Sequence, residues 1–396
     1  MPGRGLWGGC AVALALVLAP AALAGRSVSV SYDSPAALRG LAVRVVIPSL
    51  HVAEIDASAL PALRARPGIR RVRATVRRRH LGTTAAGAPR RAAAAEWEYA
   101  ATRANLVPAA VEHAAAAITI AVVDTGADVS APEISAKAPT TYNVITGGSD
   151  VSDVTGHGTF VASVAAGSAA SGDALRGFGG DARLMIVQAN RGSDVFDDVD
   201  EAAGIVWAVD HGATIVNLSI GGAQTSPVER DAIRYAISHG VLLVAAGGNT
   251  GQGGNVRSYP AALIGPHGLA VASTTTTGER AAFSTSARYV SIAAPGVHVL
   301  GATTATASTS TYPRATVGTD GVYAYGTGTS YSAPQVSGAA ALVWAARPSL
   351  TAAGVATILE QTASGGGTWN PGTGYGVLDV AAAVAFALGV PAPAKK

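Results

Sequence analysis

The chain has 396 residues, 49% hydrophobic and 13% charged, with 48 glycines, 5% aromatics and one cysteine. This composition excludes a chain disordered throughout and a disulfide-stapled scaffold, and it supplies a large core closed by Ala and Gly rather than by rings. The net charge of +3 hides a division: residues 26–95 carry thirteen Lys/Arg against three Asp/Glu, and residues 96–396 carry fourteen against twenty-two.

Residues 1–24 read as an export signal peptide. Arg4 supplies the positive start, Ala11 to Ala19 is an unbroken apolar run, and Ala22-Leu23-Ala24 offers small residues for cleavage. A membrane span needs about 20 apolar residues, so the expectation is a secreted or periplasmic protein with no stable membrane span. Cys10 precedes the run, and cleavage after Ala24 leaves no cysteine for a disulfide.

Residues 25–95 follow as a basic front. Val43 to Pro48 reads as a strand, Ala57 to Arg66 has helical spacing, and Ile69 to Val76 alternates as a second strand. That is a small α/β module, too small for high stability alone. Residues 77–95 begin Arg77-Arg78-Arg79-His80 and continue with Gly, Thr, Ala, Pro and Arg90-Arg91. They read as an exposed linker open to cutting.

From Glu96 the pattern changes. Apolar, β-rich runs at 118–123, 184–188, 214–220, 241–246, 268–272 and 289–293 alternate with helical stretches at 159–167, 197–211 and 228–239. Continuous Val/Ile/Leu strands separated by helices predict an α/β fold, a parallel sheet covered by helices on both faces. Chemistry in such sheets sits beyond the carboxyl ends of the strands. Residues 301–327, rich in Thr, Ser, Ala and Gly, read as an extended surface excursion. A last helix covers about 378–388, and 391–396 is a tail.

Three strings carry chemistry: Val122-Val123-Asp124-Thr125-Gly126, Gly156-His157-Gly158-Thr159 and Gly328-Thr329-Ser330-Tyr331-Ser332-Ala333-Pro334. Alone, Asp124 is a turn aspartate at a strand end, His157 a packed histidine, and Ser330 a helix cap with Pro334 in the first turn. Taken in order they offer an acid, a base and a nucleophile for acyl transfer. The glycines beside His157 let backbone approach its ring. A serine at a helix start sits beside free N–H groups that stabilise an oxyanion. Asn249, after a buried strand, is either a turn residue or a side-chain donor to that oxyanion. The strings lack the Gly-x-Ser-x-Gly elbow, which argues against an α/β-hydrolase esterase.

With these residues the chain resembles the subtilases, the subtilisin-like serine proteases. The resemblance covers about Glu96 to Leu388. It implies a peptidase domain over 96–390, preceded by an inhibitory propeptide and processing linker over 25–95. It implies a catalytic set of Asp124, His157 and Ser330. The oxyanion hole would come from Asn249 and the Ser330 N–H. Leu218, Ser219, Ile220, Gly221 and Gly222 would form the substrate-binding strand. Residues 250–258 would help to shape the pocket before the cut. No cofactor is required for catalysis and no metal is assigned; Glu133, where the family often has Asp, is the candidate for a structural calcium ion. The implied partners are polypeptide substrates and the chain's own propeptide, whose +10 balance meets −8 on the body; the expected state is a monomer. The rival readings are a catalytically silent fold that only binds chains, and a nucleic-acid binder through the Arg-rich front. The second is set aside because the rest of the chain supplies the acidic partner.

Overall fold

A computed structural model describes residues 27–63, 65–82, 96–169, 175–264, 267–317 and 321–394. The expected signal peptide and linker residues 83–95 lie outside these described residues.

The body is built on seven parallel strands: β6 (Thr119–Asp124), β7 (Thr140–Asn143), β8 (Arg183–Gln188), β10 (Ile215–Leu218), β12 (Leu242–Ala246), β13 (Gly268–Thr274) and β14 (Ile292–Pro295). Their order is β14-β13-β12-β10-β6-β8-β7. Alternation along each strand feeds two apolar layers. Ile120, Val122, Ile186, Val244 and Val271 face one side, and Ala121, Val123, Val187, Leu243 and Ala270 the other. Both sides are buried, which is why these strands read as continuous apolar runs.

The first layer is closed by the helices His157–Ala166, Thr329–Ala346, Ala352–Thr362 and Val380–Leu388. The second is closed by Asp198–Asp210 and Pro227–Ser238. Small residues let these elements approach closely. A Cβ on Gly338 would stand 2.6 Å from the carbonyl oxygen of Ala165, on the neighbouring helix. The excursion at 301–327 is framed by an antiparallel hairpin, β15 (Val299–Ala302) with β16 (Tyr323–Gly326).

The front module is a four-stranded antiparallel sheet of order β2-β3-β1-β4, made of β1 (Ser27–Tyr32), β2 (Val43–Ile47), β3 (Val52–Asp56) and β4 (Ile69–Ala74). Val28, Val30, Tyr32, Ile55 and Leu63 form its own core. Val45, Ile47 and Val52 instead share a buried cluster with Val206 and Ile233 of the two second-layer helices. The expected helix at 57–66 is shorter: a 3₁₀ turn at Ala57–Ala59, capped by Asp56, then Leu60–Leu63. Pro67-Gly68, with Gly68 at φ +80°, turns the chain into β4.

The largest departure concerns Arg77–His80. This segment is not an exposed linker but a strand, β5, held between β9 (Val195–Asp197) and β11 (Ile220–Gly221).

Glu98 is one of several buried or half-buried acids that make stability change with pH. Glu98 is fully buried and accepts the Leu300 N–H at 3.0 Å. Burial, with Glu96 adding to it, pushes its carboxyl up from 4.5 to about 8. The folded chain then keeps a proton that the unfolded chain loses. The stabilisation is complete below pH 4.5 and is lost as pH rises to about 8. Glu98→Gln keeps the acceptor for Leu300 without the charge. Its melting temperature should exceed the native value by on the order of 3 °C above that window and match it below. A difference that does not grow with pH removes Glu98 as the cause.

Candidate active site

Three neighbouring strands of the sheet, β10, β6 and β12, deliver the site from their carboxyl ends. Asp124 is the last residue of β6 and is fully buried. Its Oδ1 accepts the Thr125 N–H at 2.7 Å and lies 2.7 Å from His157 Nδ1. Gly126, at φ +103°, turns the chain sharply there, where a Cβ would strike the Val151 carbonyl.

His157 opens its helix behind Gly156. A carboxylate that the sequence reading missed arranges this turn. Asp153 Oδ1 accepts from Gly156 N at 2.9 Å and Thr125 Oγ1 at 2.9 Å, and its Oδ2 from Thr159 N at 2.9 Å and Thr159 Oγ1 at 2.7 Å. Asp153 thereby ties the aspartate turn to the histidine helix. Its signal was available: an acid four residues before His157, followed by threonines that could donate to it. Part of the excursion packs behind the same turn. Thr303 Oγ1 donates to the Gly156 carbonyl at 3.3 Å, and the Tyr312 hydroxyl lies 3.2 Å from that of Tyr331.

Ser330 is the second residue of the Thr329–Ala346 helix, after Gly328 at φ +143°. Pro334 is not in the first turn as expected but inside the helix. Its missing N–H leaves the Ser330 carbonyl without the usual helical donor. Ser219 Oγ supplies one at 2.8 Å. Ser219 itself accepts from Asn217 Nδ2 at 2.9 Å. The strand after β10 is thus tied to the start of the serine helix.

The imidazole bridges only partway. His157 meets Asp124, but its Nε2 is buried with no hydrogen-bond partner among the described residues. The Ser330 hydroxyl donates instead to the Ser219 carbonyl at 2.8 Å. The ring face is covered by His80, with centroids 4.4 Å apart.

β5 explains what the cleft holds. Ile220 pairs with His80 and Gly221 with Arg79, and Leu81 N donates to the Ser219 carbonyl at 3.2 Å. Leu81 O then accepts from Asn249 Nδ2 at 2.5 Å and from Ser330 N at 3.4 Å. Asn249 is aimed by its other end, where Oδ1 accepts from Thr329 N at 3.1 Å and Thr329 Oγ1 at 2.8 Å. A Cβ on Gly328 would collide with the same Leu81 carbonyl. Of the five residues expected on the substrate strand, Ser219, Ile220 and Gly221 pair with this segment. Gly222 lies against the Arg77 carbonyl and bridges to Tyr259. Leu218 does not take part; it ends β10, buried and paired with Ala245.

The calcium candidate fares differently. Glu133 is fully buried and its Oε1 accepts from the Tyr323 hydroxyl at 2.5 Å. Among the described residues Glu133 belongs to no group of three His, Cys, Asp or Glu side chains close enough to share a metal ion. Among the described residues, three carboxylates converge at Glu54, Asp197 and Asp200. There the Arg191 guanidinium already lies 2.5 Å from Glu54 and 3.0 Å from Asp200.

Comparison with known proteins identifies the family. The profile of the Subtilase family matches residues 115–376. Thermitase of Thermoactinomyces vulgaris is 33% identical over 255 residues, which is 63% of this chain and 83% of that protein. Subtilisin Savinase of Lederbergia lenta is 34% identical over 253 residues, 64% of this chain and 86% of the relative. Among solved structures, fervidolysin of Fervidobacterium pennivorans, described as a keratinolytic enzyme related to subtilisin, superposes with a TM-score of 0.72 at 26% identity. That match covers 93% of this chain and 61% of fervidolysin.

Proposed function

Because the chain belongs to the subtilase family of serine endopeptidases, we propose that Asp124, His157 and Ser330 form its catalytic set and that its first substrate is itself. The Leu81 carbonyl carries this reading, through its contacts with Asn249 Nδ2 and Ser330 N. Those are the two donors an oxyanion would need, and they already face a peptide carbonyl.

The reaction begins when the Ser330 hydroxyl leaves the Ser219 carbonyl for His157 Nε2. His157 takes the proton while Ser330 Oγ bonds to the carbonyl carbon. Asp124 holds the ring proton on Nδ1 and stabilises the imidazolium. Charge gathers on the former carbonyl oxygen, between Asn249 Nδ2 and Ser330 N–H. The C–N bond then breaks, His157 protonates the leaving amine, and an acyl-enzyme remains. Water repeats the cycle and frees the carboxylate.

For the chain's own cleft segment, the broken bond is Leu81–Gly82. The cut separates residues 25–81, which block the cleft by strand pairing, from the peptidase domain. Export by the signal peptide 1–24 would put the mature enzyme outside the cytoplasm, acting on polypeptides as a monomer.

Asn249→Ala should lower kcat by about 10²–10³ with KM little changed, since its amide matters most when charge develops. A variant at native rate rejects the role. N-terminal sequencing of matured protein should read Gly82 first. A fluorophosphonate probe should label the native protein and spare Ser330→Ala; no label on either would favour a silent fold that only binds chains.

A further inference from the structure

Arg77, Arg78 and Arg79 are chemically identical and consecutive, yet only the middle side chain is buried, at 0% exposure. It enters a pocket between the helices Asp198–Asp210 and Pro227–Ser238. Its Nε and Nη2 lie 3.0 Å and 2.7 Å from Glu229 Oε1, and Nε lies 3.4 Å from Glu201 Oε2. Both glutamates are fully buried. Among the described residues no other cation contacts either one.

We propose that this pocket is a specificity site: it selects polypeptides with an arginine four residues before the cleaved bond. The proposal rests on the reading that Leu81–Gly82 occupies the cleavage position, which makes Arg78 the fourth residue before the cut.

The pocket belongs to the peptidase domain and stays when the front segment leaves. Emptied, it holds two neighbouring acidic side chains whose shared counter-ion has left. Burying an uncompensated charge is costly, so an apolar side chain there leaves the acids unpaired. An arginine removes that cost and fits the shape. One Glu229 oxygen receives two guanidinium nitrogens, which a single ammonium cannot reproduce. The acid is held ready from behind: Thr225 Oγ1 donates to Glu229 Oε2 at 2.5 Å, and Ser226 Oγ caps the Glu229 N–H at 3.3 Å. The backbone is registered beside it, where Val76 N donates to Asp198 Oδ1 at 2.9 Å. Leu81, against Gly221, is the residue before the bond. The preferred substrate is therefore a strand with arginine, one exposed and tolerant position, a residue that packs on the His157 ring, then a leucine-like residue.

A purely structural role for the ion pair, clamping the front module, is separable because short peptides carry no module. Quenched fluorescent peptides copying residues 75–85 are given to matured native enzyme, each with one arginine replaced. Ala in place of Arg78 should lower kcat/KM by on the order of 10²-fold, and Lys there by about tenfold. Ala in place of Arg77 or Arg79 should cost less than about threefold. Glu229→Gln enzyme should lose most of the Arg-over-Ala preference at the fourth position. If the parent peptide is cut between Leu and Gly but all three alanine peptides perform alike, the pocket is not a specificity site. If casein is digested while the parent peptide is cut elsewhere or not at all, the cleavage register itself is wrong. Should Glu229→Gln fail to mature, the native enzyme's peptide series decides alone.

Discussion

Ser330→Ala accumulates as a chain that is never cut after Leu81, and its residual turnover of added peptide falls by about 10⁶-fold, the scale on which nucleophile loss acts in serine proteases. The fold should survive the change. Among the described residues the hydroxyl makes one hydrogen bond, to the Ser219 carbonyl, and the Ser330 backbone keeps its partners in Ser219 Oγ and Leu81 O. Mass spectrometry of purified protein checks both points. A Ser330→Ala preparation that matures when purified away from other proteases assigns the cut to something other than this chain.

The second large loss is expected from Asp124→Asn, about 10⁴-fold in kcat with substrate affinity retained. The mechanism is a tautomer. Asp124 Oδ1 accepts from His157 Nδ1 at 2.7 Å, so the lone pair of the ring stays on Nε2. The same Oδ1 accepts the Thr125 N–H. A neutral amide in that place offers no charge to the imidazolium, and wherever its NH₂ rather than its oxygen faces Nδ1 the ring proton moves to Nε2 and the base is lost. Steady-state kinetics measure this directly, with circular dichroism to confirm the fold. A variant within tenfold of the native kcat means that the buried carboxylate does not orient the base.

Much of this was legible in the sequence because it depends on local pattern. The parallel strands are apolar runs, and the strings around Asp124, His157 and Ser330 carry the glycines that their turns need. Asn249 was visible for the same reason. What was hidden depends on distant partners. Arg77–His80 has the composition of a solvated linker, and nothing nearby in sequence announces Glu201 and Glu229. Their positions, more than 120 residues on, turn a charge run into a strand with its middle arginine buried. Pro334 was misjudged for a related cause. A proline inside a helix costs a hydrogen bond, and the compensation, Ser219 Oγ, comes from another strand. Leu218 looked continuous with the substrate strand. The break after it, where the chain leaves β10 for β11, is a change of sheet that hydrophobicity does not mark.

The serine helix is almost free of rotamers from Ser337 to Ala341, where Ser337, Gly338, Ala339, Ala340 and Ala341 are buried and small. Such residues lose little side-chain entropy on ordering. Ser330 therefore rides on a rod that touches the histidine helix backbone to backbone where Gly338 meets Ala165. The spacing between nucleophile and base is calibrated at that distant crossing. A single methyl group added at residue 338 would act as a shim, prying the two reacting side chains apart without touching either.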